Sequence, residues 1–256
     1  MKITKSVERW APLVVLAGVL LLWQLLVMAF SVPEFIFPSP WQIAQQFVEF
    51  KGALLEAAWK TFWVTMLGFA ISIVVGVMLG FLIGSSRLAY TALYPLMVAF
   101  NAVPKAAVVP ILVVWFGIGL GPGILTAFLI SFFPITVNIA TGLATLEPEL
   151  EDVLRVLGAR RWDVLVKVGL PRSMPYFYGS LKIAITLAFV GTVLAEMTAG
   201  DSGIGYLMQT ASSQQRMPLA FAGLVTIGAM AMAMYALFSW VEKRTTGWAH
   251  RGSQAA

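Results

Sequence analysis

Two ionisable residues and two amides, Lys105, Glu196, Asn101 and Asn138, stand inside stretches otherwise apolar enough to cross a bilayer. A charge at membrane depth is costly, so it marks a solute or proton path unless a structural partner accounts for it. Lys105, beside Pro104, can line a pathway and attract an anion; it can equally pair structurally, with Glu196 as one partner, or snorkel to an interface. Glu196 falls near the end of its apolar run, where a hydrogen-bonding or gate role competes with solute contact. For Asn101 and Asn138, hydrogen bonding between helices and pore lining are both open. Other chemistry is not prepared. The apolar runs hold no paired acids, no histidine cluster and no HExxH, which argues against a metal site or an acid–base pair. No GxxxxGK[ST] is present to cradle the phosphates of ATP.

The elements that must position these residues follow from composition. The chain of 256 residues is 59% hydrophobic and 11% charged. Soluble domains carry roughly 25% charged residues, so the class expected is an all-α integral membrane protein in one transmembrane domain. Cysteine is absent, which excludes disulfides and thiolate metal sites. Six spanning helices are predicted at about 11–30, 57–84, 93–116, 124–146, 174–199 and 219–240, each near the roughly 20 residues a bilayer needs. The first follows the basic stretch MKITKSVERW, yet it exceeds the roughly 7–15 residues of a signal-peptide core and lacks a small-residue cleavage site. Pro104 and Pro110 interrupt the third, and irregular backbone at that depth requires surrounding protein or a water-filled cavity. Pro33, Pro38 and Pro40 precede WQIAQQFVEF, which reads as an interfacial amphipathic helix. Gly68, Gly76, Gly80 and Gly84 give the second span a small face for close packing. The stretch GDSGIGYLMQTASSQQRM reads as an outer loop. With both termini inside, 13 of the 17 lysines and arginines fall on or near the inner side. Only Lys51, Lys60 and Arg216 fall outside, with Lys105 at depth. That bias follows the positive-inside rule, and it accounts for the net charge of +5 without nucleic acid.

Between the fourth and fifth spans lies the longest inner loop, Glu147 to Pro171, EPELEDVLRVLGARRWDVLVKVGLP. Glu149–Leu157 is predicted as a short helix, with acids at its positive end and Pro148 in a tolerated first-turn position. Gly158 suits the left-handed residue that ends it. Arg161–Val168 is predicted as a second short helix, stopped before Pro171. This helix–turn–helix presents Val153, Leu154, Leu157, Trp162, Leu165 and Val166 to a partner.

The loop resembles the EAA loop of bacterial ABC-importer permeases. Asp152, Val153 and Leu154 stand in the three places that name it, and Gly158, Val168, Leu170 and Pro171 follow at the family spacing. Asp replaces Glu, and Val-Leu replaces Ala-Ala. The stretches NAVPKAAVVPILVVWFGIG, FFPI, LPRSMPYFYGSLKIAI and Glu196 followed by GIGY resemble the nitrate/sulfonate/taurine type in particular. The resemblance implies a type I importer fold and a subunit that is not itself an enzyme. It implies a second permease copy, expected to be identical, in the bacterial inner membrane. It further implies two cytoplasmic ATPases carrying ATP-Mg, with no cofactor on this chain, and an extracytoplasmic solute-binding protein. Coupling to the ATPase then falls to Glu151, Asp152, Val153, Leu154, Gly158, Ala159, Arg160, Leu170 and Pro171. Two other classes remain in view. A membrane-embedded enzyme would need the reactive pairs missing above. An ion-driven transporter would normally show internal repeats and broken helices in both halves, whereas only the third span is clearly broken here.

Overall fold

Prolines and glycines mark several of the helix boundaries in this protein. The structure, a computed structural model, describes residues 5–144, 153, 154 and 156–246. Among them all regular structure is helical. Helix α1 (Lys5–Ala29) is followed by α2 (Pro40–Glu49), the predicted amphipathic segment. A capping box starts α2: Ser39 N–H donates to Gln42 Oε1 at 2.8 Å and Gln42 N–H to Ser39 Oγ at 3.4 Å. Nothing breaks the chain after Phe50, so α3 (Lys51–Gly84) starts ahead of the expected Ala57. Helix α4 (Arg87–Ala102) begins behind Ser86, whose Oγ accepts from Ala89 N–H.

The third span is broken as predicted. Pro104 holds Val103 in an extended conformation and ends α4. A 3₁₀ turn (Lys105–Val108) then leads into α5 (Val109–Phe116), and the two arms meet at 71°. Pro110 lies in the first turn of α5, where its missing N–H is harmless. Gly117 and Gly119, both at positive φ, make the next turn, and α6 (Leu120–Ala144) begins earlier than expected.

Two predictions are corrected. Pro171 does not stop a helix. Helical structure runs from α7 (Arg161–Val164) through a π turn (Leu165–Gly169) into α8 (Leu170–Ala199). A proline lacks the N–H for an i−4 bond and crowds that carbonyl; a π turn widens the backbone just ahead of it, so the helix continues. The predicted second loop helix and the fifth span are therefore one rod. The first loop helix lies mostly outside the described residues. The second correction concerns the stretch after Ala199, which is not a plain loop. It folds as α9 (Gly203–Ser213) before α10 (Met217–Thr245).

Five helical stretches are long and apolar enough to cross a membrane, six with the bent pair counted as one span. Helices α3, α6 and α8 form the centre, through Phe69, Ala127, Ile135, Ile139, Ile185 and Phe189. Glycines permit the close approach: a Cβ on Gly76 would stand 2.9 Å from Ile135 Cβ, and one on Gly191 2.8 Å from the Thr126 carbonyl oxygen. A second cluster, including Ile43, Leu54, Ile204 and Leu219, gathers α2, α3, α9 and α10. Helix α1 and the outward faces of α4 and α10 expose leucine, valine and methionine, such as Leu88, Leu96 and Met232, as lipid-facing surfaces do.

Candidate functional site

The segment following the fourth span keeps its predicted turn. Gly158 sits at φ 87°, and Ala159 N–H donates to the Leu154 carbonyl at 3.0 Å, the six-to-one bond of a left-handed helix terminus. Beyond the turn, Arg160 N–H donates to Asp163 Oδ2 at 3.3 Å, and Lys167 pairs with Asp163 at 2.9 Å one turn on. The hydrogen bond and charge of Lys167 hold the Asp163 carboxyl below its usual range. Val153, Val156 and Leu157 are exposed, Val156 at 89%. Apolar side chains so exposed on a charged segment form an uncovered apolar patch. Leu154 and Ala159 are half-buried, and Arg160, Leu170 and Pro171 are exposed. Glu151 and Asp152 lie outside the described residues.

The polar residues of the spans fall into separate groups. Lys105 and Asn101 come together: the Lys105 ammonium donates to the Asn101 backbone carbonyl and, at 2.6 Å, to its Oδ1. The cation thus closes the C-terminal end of α4 at the break, where exposed carbonyls favour positive charge. The structural partner of Lys105 is Asn101 and not Glu196. Asn138 folds back on its own helix, donating to the Pro134 carbonyl at 2.8 Å, an intrahelical bond. Phe132 is buried against Phe100 and Phe128 beside this region, while Trp115 and Phe116 are exposed.

Glu196 lies elsewhere, packed between α3, α8 and α9. Both its carboxylate oxygens accept from Thr61 Oγ1 at 2.9 Å, and Oε2 also accepts from Gly205 N–H at 2.8 Å.

Sequence reasoning missed two features. Lys182 pairs with Glu242 at 2.6 Å across α8 and α10, with both side chains largely buried. Small hydroxyls also join the central helices: Thr65 bonds Thr192 at 2.9 Å, and Ser72 bonds Ser131 at 2.6 Å. Charge counting assigned Lys182 to a side of the membrane, but no local pattern indicates a partner 60 positions away.

A bundle of long apolar helices, one span broken around a lysine, and an exposed apolar patch beside the Gly158 turn define a polytopic membrane protein. The family described as binding-protein-dependent transport system inner membrane component matches residues 72–247. The chain is 32% identical over 237 residues to a probable ABC transporter permease protein of Haemophilus influenzae, covering 91% of this chain and 95% of that one. It is equally 32% identical over 251 residues to a riboflavin transport system permease of Chloroflexus aurantiacus, covering 95% and 94%. Relatives also include an aliphatic sulfonates permease of Bacillus subtilis (27% identical; 91% and 85% covered) and a nitrate import permease of Leptolyngbya laminosa (32%; 69% and 63%). The fold is similar to an inward-facing MetNI methionine ABC transporter chain, with a TM-score of 0.67 and 16% identity over 77% of this chain and 98% of that one. This chain belongs to the binding-protein-dependent inner membrane component family and is an ABC transporter permease.

Proposed function

We propose that this chain forms half of the pathway of an ATP-driven importer in the bacterial cytoplasmic membrane, with both termini and the Glu147–Pro171 loop in the cytoplasm. Two ATPase chains bind ATP-Mg and press on that loop, a solute-binding protein delivers cargo at the opposite face, and a second copy of the chain completes the pathway. The observation that carries the reading is the exposed apolar patch of Val153, Val156 and Leu157, set beside the Gly158 turn and followed by one continuous helix into the bundle. Movement of the patch must then move α8 as a near-rigid body.

The family resemblance points to a small anionic solute such as nitrate, a sulfonate or taurine, with Lys105, Asn101 and Asn138 as candidate pathway residues. A second reading, the same machinery carrying another small organic molecule, draws support from the riboflavin permease, which aligns over 95% of this chain. It gains further support from the Lys105 ammonium, which is already engaged by Asn101.

Co-purification from membranes tests the core of the proposal. An ATPase chain should accompany the wild-type protein and uptake should require ATP. Gly158→Val should weaken both, because a β-branched residue in the left-handed region costs about 1–3 kcal/mol. A Cβ at Gly158 meets nothing within 4 Å, so the effect is one of backbone conformation alone. Uptake driven by an ion gradient in ATP-depleted vesicles would overturn the proposal.

A further inference from the structure

Glu196 is the most deeply buried ionisable residue among the described residues, and its contacts all lead to one place. Helix α9 begins at Gly203 behind Ser202, yet the Ser202 side chain makes no cap hydrogen bond and donates instead to Asp201 at 2.9 Å. Two of the first-turn amides are satisfied from other helices. Gly205 N–H donates to Glu196 Oε2 on α8 at 2.8 Å, and Ile204 N–H donates to Thr61 Oγ1 on α3, also at 2.8 Å. Thr61 Oγ1 in turn donates its hydroxyl hydrogen bond to the Glu196 carboxylate. Glu196 and Thr61 thus form a composite N-cap, supplied by two neighbouring helices, in which the carboxylate meets the positive end of α9.

The glycines of the GIG stretch exist to admit this carboxylate. Gly203 stands at φ 93°, and a Cβ there would lie 2.3 Å from Glu196 Oε1. A Cβ on Gly205 would lie 2.6 Å from the Val193 carbonyl oxygen and 2.7 Å from Glu196 Cβ. No flexible side-chain end is available to yield at Gly205, so the approach of α9 to α8 depends on both glycines. From Arg161 to Glu196 the backbone is continuously helical, a contour of roughly 50 Å at about 1.5 Å per residue. One end carries the docking segment and the other holds the cap of α9.

We propose that Glu196 is a positioning residue that locks α9 to α3 and α8 as one body, so that displacement of the docking segment is delivered to the opposite face of the protein through α9. This rests on the coupling function proposed above. In that cycle Glu196 holds a helix at the face where the binding protein arrives and does not meet solute. Thr61 shares the role, because it bonds both the carboxylate and α9.

The test uses the permease reconstituted with its ATPase and solute-binding protein. The chain contains no cysteine, so spin labels can be placed at Gly52→Cys on α3 and Gln209→Cys on α9, both exposed. In the wild-type background the label distance should be the same in the nucleotide-free and ATP-trapped states. Glu196→Ala should broaden that distance and lower stimulation of ATP hydrolysis by the loaded binding protein about tenfold, while unstimulated hydrolysis stays within about twofold. Glu196→Gln, whose amide oxygen still accepts from Gly205, should recover most of the stimulation. A wild-type distance that changes between the two states overturns the proposal even if Glu196→Ala fails to assemble. So does full stimulation in an assembled Glu196→Ala complex. If instead no ATPase accompanies the wild-type chain, the coupling function itself is what fails.

Discussion

Lys182 and Glu242 lie 60 positions apart in the chain and 2.6 Å apart in space, with the Tyr235 ring 5.9 Å from the ammonium. Their side chains are 18% and 13% exposed, so removing one partner strands a desolvated charge on the other. Single substitutions Lys182→Met or Glu242→Leu should cost about 3 kcal/mol or more, whereas replacing both with apolar residues should be far milder. Thermal unfolding of the detergent-solubilised protein measures this. The double variant should recover more than half of the loss, and a loss equal to the two singles added together would show that the pair is not coupled. Gly158 is the contrasting case. Its conformational role is local, so a glycine after an apolar-periodic stretch was enough to predict it.

The three central helices approach each other across glycines, and their substitution separates packing from propensity. At Gly76 a side chain collides with Ile135 and the Phe132 carbonyl, at 2.9 Å and 3.1 Å from the new Cβ. Gly76→Val should therefore destabilise by about 1–3 kcal/mol or more, as overpacking does. At Gly228, inside α10, a Cβ meets nothing within 4 Å. There Gly228→Ala should stabilise by about 1 kcal/mol, the usual gain in helix propensity. Comparative unfolding of the two variants checks the pair, and the account fails if both move in the same direction. The spacing of Gly68, Gly76, Gly80 and Gly84 at multiples of four made the small face visible in sequence. Which helix packs on it was not visible, because α6 reaches α3 only through the tertiary fold. The continuity of α7 and α8 was hidden for a different reason. Proline after a helical run reads as a stop, but here a π turn widens the backbone before Pro171 and the helix proceeds.

For the assembled transporter, the charge at the broken span bears on the solute. Lys105 is the cation at the break in the third span, and Asn101 holds its ammonium against the end of α4. If an anion displaces that contact during passage, Lys105→Ala should raise KM for a small anionic solute while leaving assembly with the ATPase intact. Uptake kinetics in proteoliposomes decide the matter: an unchanged KM would leave Lys105 with the helix-capping role alone and favour the second reading of the cargo.

Composition, the positions of proline and glycine, and the periodicity of apolar residues determined the membrane class, the broken third span and the left-handed turn at Gly158. Each depends on the local backbone or on transfer of side chains into lipid, and needs no knowledge of distant neighbours. The tertiary structure alone decided that Lys105 rests on Asn101 and that Glu196 reaches Thr61, 135 positions away. It also decided that Lys182 meets Glu242, and that the stretch after Ala199 becomes a helix capped by other helices. A buried polar group must find a partner wherever the fold brings one close, and sequence separation places no limit on that choice.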